Sequence, residues 1–171
     1  HGMEIAHLSD QTKEALRSFL PAAASVKNPV DMIASAPLEH YKKTLETVLA
    51  DDGVDMVVVI YLPFLGLKDI DVAKAVMEIR AAHPDKPIVG VFMTKNEFFA
   101  HLSETEVNVP FFMFAEQAVE GLARLNQQRL WRERTDTPAP RYSVDTETVE
   151  AVFKQAAADN RVQLTTGESL Q

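Results

Sequence analysis

The chain has 171 residues, of which 46% are hydrophobic, and it carries a formal net charge of -8 at pH 7. A chain of this size can bury one ordinary core, but it lacks the run of roughly 18 apolar residues that a membrane span needs. It contains no cysteine, which excludes disulfides and thiolate-bound zinc. The acidic balance disfavours nucleic acid, and the five histidines show no metal-binding spacing. We therefore expect one soluble domain with a tail, no nucleic-acid or membrane partner, and no metal site.

Both ends of the chain suggest a longer polypeptide. It starts with His1-Gly2-Met3, without a basic region followed by an apolar core. The sequence therefore predicts no signal peptide and a cytoplasmic setting. The chain stops within residues 164–170, where a threonine or glycine is placed to cap a helix that the chain does not contain. We expect the natural polypeptide to continue beyond both ends.

The first third of the chain shows two helix signals separated by one extended piece. Ser9 is a good cap for a helix over 10–19. Residues 28–33 predict a short strand, because the residue before a proline is restricted to extended conformations. A second helix is predicted to start at 35–37, with Pro37 in its first turn and Ser35 as its cap.

Buried strands alternate with helices through the middle of the chain. The apolar runs predict strands over 56–62, 87–93 and 109–114, and the 3.6-residue periods predict helices over 69–82, 96–102 and 116–131. The run over 56–62 is apolar on both faces, which is typical of a buried central strand. Pro110 suits an edge strand. Right-handed crossovers between such strands build a parallel sheet covered on both faces, so the sequence predicts a flavodoxin-like three-layer α/β/α sandwich.

The loop after residues 56–62 is the first candidate site. Ligands of open α/β sheets collect outside the carboxyl ends of the strands, where a loop leads into the positive end of a helix. The candidates in this loop are Phe64, Leu65 and Gly66. Lys95 follows the next strand on the same sheet edge, where it is either a phosphate-attracting cation or an ordinary solvated lysine.

Three other polar residues have both a ligand-binding and a structural interpretation. Asn28 and Asp31 are candidates for a phosphate contact. An Asn-Pro turn in which Asp31 accepts from the local backbone explains both residues without a ligand, and we favour that explanation. Ser35 is either a helix cap or an anion ligand. No histidine has a carboxylate or nucleophile at a sequence spacing that is typical of a catalytic site, so we predict no catalytic residue.

An ordered set of short motifs runs through most of the chain. These motifs are GMEIAHLS at 2–9, LP at 20–21, AS at 24–25, NPVD at 28–31, DDGVD at 51–55, Pro63, KPIVGVF at 86–92, VP at 109–110 and AEQAV at 115–119. Their order resembles the second ligase-CoA domain of the nucleoside-diphosphate-forming acyl-CoA synthetases, a family that includes ADP-forming acetyl-CoA synthetase and succinyl-CoA synthetase. The resemblance covers about residues 1–131.

The resemblance implies a role in a reaction whose chemistry lies in other domains. In that family, acyl-CoA is attacked by phosphate, and the acyl phosphate passes its phosphoryl group to a histidine and then to ADP or GDP. CoA and Mg-bound ATP or ADP are bound elsewhere, so no cofactor is expected on this fragment. The implied partners are the CoA-binding, phosphohistidine and ATP-grasp domains of the same protein or complex.

By resemblance, this domain presents a helix N-terminus to the phosphohistidine. The loop that leads to this helix contains Phe64, Leu65 and Gly66, and Asn28, Asp31, Ser35 and Lys95 are the further candidates on that side. The implied domains are 1–131, a flavodoxin-like ligase-CoA domain, and 132–171. The second segment comprises a linker, an amphipathic helix over 143–159 and a lead-in to an ATP-grasp domain.

The resemblance also implies that the usual opening strand and helix of the flavodoxin-like domain are missing from this chain. A sheet without them has an exposed edge, which is normally a liability. We therefore expect either that another chain covers this edge or that the fragment self-associates.

Two alternatives keep the same fold. One is a regulatory ligase-like domain fused to a GNAT-type protein acetyltransferase, which the glycine-poor stretch at 63–67 favours. The other is a free-standing receiver or flavodoxin. A receiver needs an acidic residue at the end of its central strand, where Tyr61, Leu62 and Pro63 offer none, and a flavodoxin would be yellow, whereas we expect a colourless protein.

Overall fold

The computed structural model describes residues 2–63, 66–103, 106–135, 138–140 and 142–170. The chain divides into two compact units, His1–Glu133 and Arg134–Gln171. No helix in the described ranges is both long enough and apolar enough to cross a membrane.

The first unit alternates helices and strands, as the sequence predicted. Its elements are α1 (Asp10–Phe19), α2 (Leu38–Leu49), β1 (Val57–Tyr61), α3 (Asp69–Ala82), β2 (Ile88–Phe92), α4 (Asn96–Ser103), β3 (Phe111–Phe112) and α5 (Ala115–Arg132). The strands form a parallel sheet in the order β1-β2-β3. The prediction of a flavodoxin-like α/β fold with a parallel sheet is confirmed.

The central strand of this sheet is β2, and the prediction that the run over 56–62 forms the central strand is wrong. All five residues of β2 are buried, and β2 pairs with both neighbours. β1 lies at an edge, where Ile60 is 50% exposed and Leu62 is 60% exposed. An apolar run shows that a strand has two apolar faces, but it does not show which neighbours the strand has.

Helices cover both faces of the sheet. Val59 and Ile88 pack in one cluster with Leu45 of α2 and Val76 of α3. The alternate residues of β2, Val89 and Val91, pack on the other face against α5. This division follows from the two-residue period of a strand, which sends successive side chains to opposite faces. The result is a three-layer arrangement.

The stretch over 28–33 does not form the predicted strand. The described residues there form a single isolated bridge, between Ser25 and Asp31, and Ile33 has a φ of 61°. A strand needs a neighbouring ladder, whereas this segment turns back on itself. Ser35 does not cap α2 either, because the N-cap is Pro37, which offers no side-chain hydrogen bond.

The predicted α1 is confirmed at both ends. Ser9 caps it by accepting a hydrogen bond from the Thr12 amide at 3.1 Å. Thr12, Leu16 and Leu20 are buried, whereas Ala15 is exposed.

The last two elements of the first unit differ from their predicted extent. β3 comprises two residues rather than 109–114, since Pro110 has no N–H to donate, although its carbonyl accepts from the Gly90 amide at 2.9 Å. Leu125 of α5 is 56% exposed. The described residues from 127 to 132 of α5 are all exposed, so the helix ends beyond the sheet that covers its first half.

The second unit contains α6 (Thr146–Ala158) and a short 3-10 turn (Glu168–Leu170). Asp145 caps α6 by accepting from the Thr148 amide at 3.0 Å. Before the 3-10 turn, the Glu168 carboxylate accepts from the Thr165 amide at 2.7 Å and the Thr165 hydroxyl accepts from the Glu168 amide. This reciprocal pair is a capping box, which agrees with the predicted helix cap in this stretch.

Candidate functional site at the carboxyl edge of the sheet

The carboxyl ends of β1 and β2 lie side by side, because Tyr61 is directly opposite Phe92 in the parallel register. The chain leaves β1 towards Gly66 and α3, and it leaves β2 through Thr94 and Lys95 to α4. Both exits therefore bring polar groups to one edge of the sheet, which we call the carboxyl edge.

Side-chain hydrogen bonds fix the start of α3 to this edge. The Thr94 hydroxyl donates to Asp69 Oδ2 at 2.8 Å, and the Ile70 amide donates to Asp69 Oδ1 at 2.8 Å. The buried Tyr61 hydroxyl donates to the Leu67 carbonyl at 3.1 Å. The last turn before α3 is thus attached to both β1 and the segment that follows β2.

The charges around the start of α3 are mixed. Lys68 is the N-cap residue and is exposed, and Lys95 is exposed on the neighbouring exit. Asp69 and Asp71 lie in the first turn, where carboxylates are stabilised by the positive end of the helix dipole. An added anion would be attracted by the two lysines and the dipole, and repelled by the two carboxylates. This arrangement suits an electrostatic contact rather than bond-making chemistry.

Gly66 is the described part of the predicted loop. Its φ of 114° lies in a region that side-chain-bearing residues avoid, which explains a glycine at this position. Phe64 and Leu65 lie outside the described residues.

The structure places Asn28 and Asp31 apart from this edge. The Asn28 amide donates to the Ala6 carbonyl at 3.0 Å, and Asp31 Oδ1 accepts from the Ile33 amide at 2.9 Å. Val30 and Met32, on either side of Asp31, pack in the cluster around Leu16 and Val54, before β1 begins. These contacts account for both side chains without a ligand.

Ser35 lies nearer to the carboxyl edge. It is exposed and precedes Leu38, which packs in the same cluster as Tyr61 and Leu67. Tyr41, three residues after Leu38 on α2, meets the Tyr61 ring edge-on at 6.1 Å between centroids. Burial, together with the nearby Tyr61, raises the pKa of Tyr41, so its phenol is neutral at physiological pH and is not a general base.

The sequence did not reveal that Thr94 and Asp69 form a pair. The signal was present, since both residues follow adjacent parallel strands, but the partner of each hydroxyl and carboxylate depends on rotamers that the sequence does not give. Among the described residues, no group of three or more histidine, aspartate or glutamate side chains is placed to hold a metal ion.

Comparison with known proteins identifies the fold and the family. The ligase-CoA domain family matches residues 1–124. The alpha subunit of ADP-forming acetate-CoA ligase II from Pyrococcus furiosus is 40% identical over 95 residues, which are 54% of this chain and 21% of that protein.

Two solved structures are similar. PH0766 from Pyrococcus horikoshii OT3 is 38% identical, with a TM-score of 0.59, over 66% of this chain and 27% of that chain. The apo form of the dinucleotide forming acetyl-coenzyme A synthetase 1 from Ca. Korarchaeum cryptofilum has a TM-score of 0.62 at 21% identity, over 78% of this chain and 31% of that chain, and supports the fold alone. The chain spans 21% of the P. furiosus subunit. From the match over residues 1–124, the chain belongs to the ligase-CoA domain family.

Proposed function

We propose that this chain is one domain of a multidomain NDP-forming acyl-CoA synthetase. The full reaction converts acyl-CoA, ADP and phosphate to the acid, CoA and ATP through a phosphohistidine. The family match over residues 1–124 carries this proposal, and a relative named as an ADP-forming acetate-CoA ligase supports it. Because the chain spans 21% of that relative, the CoA-binding, phosphohistidine and ATP-grasp parts belong to other segments or partner chains.

Within such an enzyme, this domain contributes an electrostatic surface. The N-terminal end of α3 faces the phosphohistidine and stabilises its negative charge through the helix dipole. Lys68 and Lys95 add positive charge on the same edge, and the Thr94–Asp69 and Tyr61–Leu67 bonds hold this end in place. CoA and Mg-bound nucleotide are held outside this domain.

Turnover assays on two forms of the protein test this proposal. The isolated 171-residue chain is expected to show no turnover of acyl-CoA, ADP and phosphate, whereas the polypeptide encoded by the complete gene is expected to form ATP. Robust turnover by the isolated chain would show that it holds a complete reaction centre. A complete polypeptide without acid-CoA ligase activity would overturn the proposal.

A second candidate is a regulatory domain that precedes a GNAT-type acetyltransferase. It is favoured by the two carboxylates in the first turn of α3, which oppose an anion at that position. The two candidates differ in what the flanking coding sequence contains. A histidine-bearing domain and ATP-grasp motifs support the ligase, and an acetyltransferase domain supports the regulator.

A further inference from the structure

A buried tyrosine, Tyr61, and a half-buried threonine, Thr94, hydrogen-bond to the proposed phosphoryl-facing end of α3 and to the segment before it. We propose that Thr94 and Tyr61 are positioning residues for phosphoryl transfer: Thr94 restrains the Asp69 carboxylate, and Tyr61 fixes the segment that enters α3. This inference rests on the proposed function, because it concerns the same end of α3.

The Thr94 hydroxyl controls where the Asp69 carboxylate lies. Asp69 is the first residue of α3, and one of its oxygens accepts from the Ile70 amide while the other accepts from Thr94, each at 2.8 Å. Both Thr94 and Asp69 are half-buried. With both oxygens occupied, the negative charge is drawn towards the segment after β2.

Loss of the Thr94 hydroxyl would release one carboxylate oxygen. The carboxylate would then be held only by the Ile70 amide and could move at the positive end of α3, where a phosphoryl group is expected to lie. Two negative groups at one helix end repel each other, and this repulsion is strongest where water is excluded. The expected damage is therefore to phosphoryl transfer, not to the binding of CoA in another domain.

Tyr61 acts on the other side of the helix end. Its ring is buried among aromatic side chains, with Phe92 at 5.1 Å between ring centroids. This packing fixes the position of the Tyr61 hydroxyl. From there it donates to the Leu67 carbonyl, two residues before α3 begins. Removing the hydroxyl keeps the ring and releases the hydrogen bond to the Leu67 carbonyl.

The test uses steady-state kinetics of the complete polypeptide. Thr94→Val is expected to lower kcat for ATP formation about tenfold, because a misplaced group slows the reaction, with the KM for acyl-CoA unchanged. Tyr61→Phe is expected to act in the same direction. Thr94→Ser keeps the hydroxyl and is expected to retain kcat within about twofold of the wild type. Thr47→Val is a matched control, since this half-buried threonine on α2 donates its hydroxyl to the Lys43 carbonyl.

A second substitution separates positioning from general loss of structure. If the released carboxylate causes the damage, then adding Asp69→Asn to Thr94→Val should restore part of the lost rate. A Thr94→Val enzyme with normal kcat, or a double variant slower than Thr94→Val, would overturn the inference alone. An inactive wild-type polypeptide would overturn the proposed function, and this inference with it.

Discussion

At the scale of single residues, three polar side chains of the sequence motifs bind the protein's own backbone. Asn28 donates to Ala6, Asp31 accepts from Ile33, and Lys86 of the KPIVGVF motif donates to the carbonyls of Leu49 and Asp51 at 2.8 and 2.7 Å. Lys86 thus satisfies carbonyls at the end of α2, where a cation also suits the helix dipole. These motif positions are explained by the fold before any ligand is invoked.

Thr44 is a residue whose replacement should stabilise the protein. Its hydroxyl is buried on α2 and has no hydrogen-bond partner among the described residues. Thr44→Val keeps the shape and removes the unpaired polar group, so the free energy of unfolding should rise by about 1 kcal/mol. Urea denaturation of the chain measures this change.

The control for Thr44 is Thr47 on the same helix. The residue is half-buried, and its hydroxyl donates to the Lys43 carbonyl at 2.7 Å in a hydrogen bond that is exposed to solvent. Thr47→Val should therefore change the free energy of unfolding by no more than about 0.5 kcal/mol. A destabilised Thr44→Val protein would mean that the hydroxyl is satisfied by water or by another group.

Gly90 is required by the close approach of an aromatic ring. A Cβ at this position on β2 would lie 2.4 Å from Phe111 Cδ1 and 3.1 Å from Phe92 Cε2. Gly90→Ala should lower the free energy of unfolding by about 1–3 kcal/mol, because Phe92 is fully buried and Phe111 packs edge-on against it. Thermal or urea unfolding provides the measurement.

Gly121 is the matched glycine for this comparison. It lies within α5, and a Cβ there would be at an ordinary 3.7 Å from Phe112 Cζ. Gly121→Ala should raise stability by up to about 1 kcal/mol, since alanine favours a helix interior more than glycine does. Equal effects at Gly90 and Gly121 would contradict the packing argument.

At the scale of secondary structure, α1 and α2 are joined by one carboxylate. Asp51 follows the end of α2, and its two oxygens accept from the Ser9 amide at 2.8 Å and the Gly53 amide at 2.9 Å. Hydrogen bonds from Thr12, Ser9 and Gly53 hold the pKa of Asp51 far below its ordinary value. The bond to Ser9 ties the start of α1 to the turn after α2.

Asp51→Asn should destabilise the protein at neutral pH by about 1–3 kcal/mol, because one of the two part-buried backbone amides loses its acceptor and the charge is lost. The advantage of the wild type should be fully present well above pH 3.8, the ordinary pKa of the group, and should shrink as the pH falls below it. The direction follows from the lowered folded-state pKa, since the unfolded chain takes up the proton first. Urea denaturation between neutral and acidic pH measures both effects.

Asp52 supplies the control for this pH dependence, because it is exposed beside Asp51. Asp52→Asn should leave the free energy of unfolding nearly unchanged across the same pH range. A difference between wild type and Asp51→Asn that stays constant below pH 3.8 would contradict the proposed role of the Asp51 charge.

At the scale of the whole molecule, the first unit leaves apolar side chains exposed at the β1 edge of its sheet. Ile60, Leu62 and Met93 lie at or just beyond the carboxyl ends of β1 and β2, and they are 50%, 60% and 41% exposed. From residue 56 to 62, the run that contains β1 has no charged side chain, although charges and prolines normally protect such edges. The family resemblance led us to expect an exposed sheet edge, and we take β1 to be that edge.

We predict that the isolated chain self-associates through the β1 edge, and that Ile60→Lys reduces the association. A lysine there would place a charge on the exposed face of an edge strand, which opposes edge-to-edge pairing. Light scattering over a concentration series measures the average mass of each protein.

Ile5→Lys tests whether any lost apolar side chain has the same effect, since Ile5 is 73% exposed and lies outside the sheet. It should leave the average mass unchanged. A wild-type chain that scatters as a monomer at every concentration would contradict this prediction.

The sequence by itself determined the element types and much of their order. The bounds of α1 and α3 follow from caps, first-turn acids and 3.6-residue periods, all of which are local. The fold class also follows from sequence, because apolar strands that alternate with helices of this length can close only as parallel βαβ units.

Tertiary structure alone decided which strand is central, whether residues 28–33 form a strand, and which side chains meet at the carboxyl edge. β1 and β2 are equally apolar as sequences, and only pairing with β3 makes β2 the buried one. The Thr94–Asp69 bond joins residues 25 positions apart, and no local pattern encodes its geometry. Local energies set helices and caps, whereas strand order and site geometry depend on contacts between segments distant in the chain.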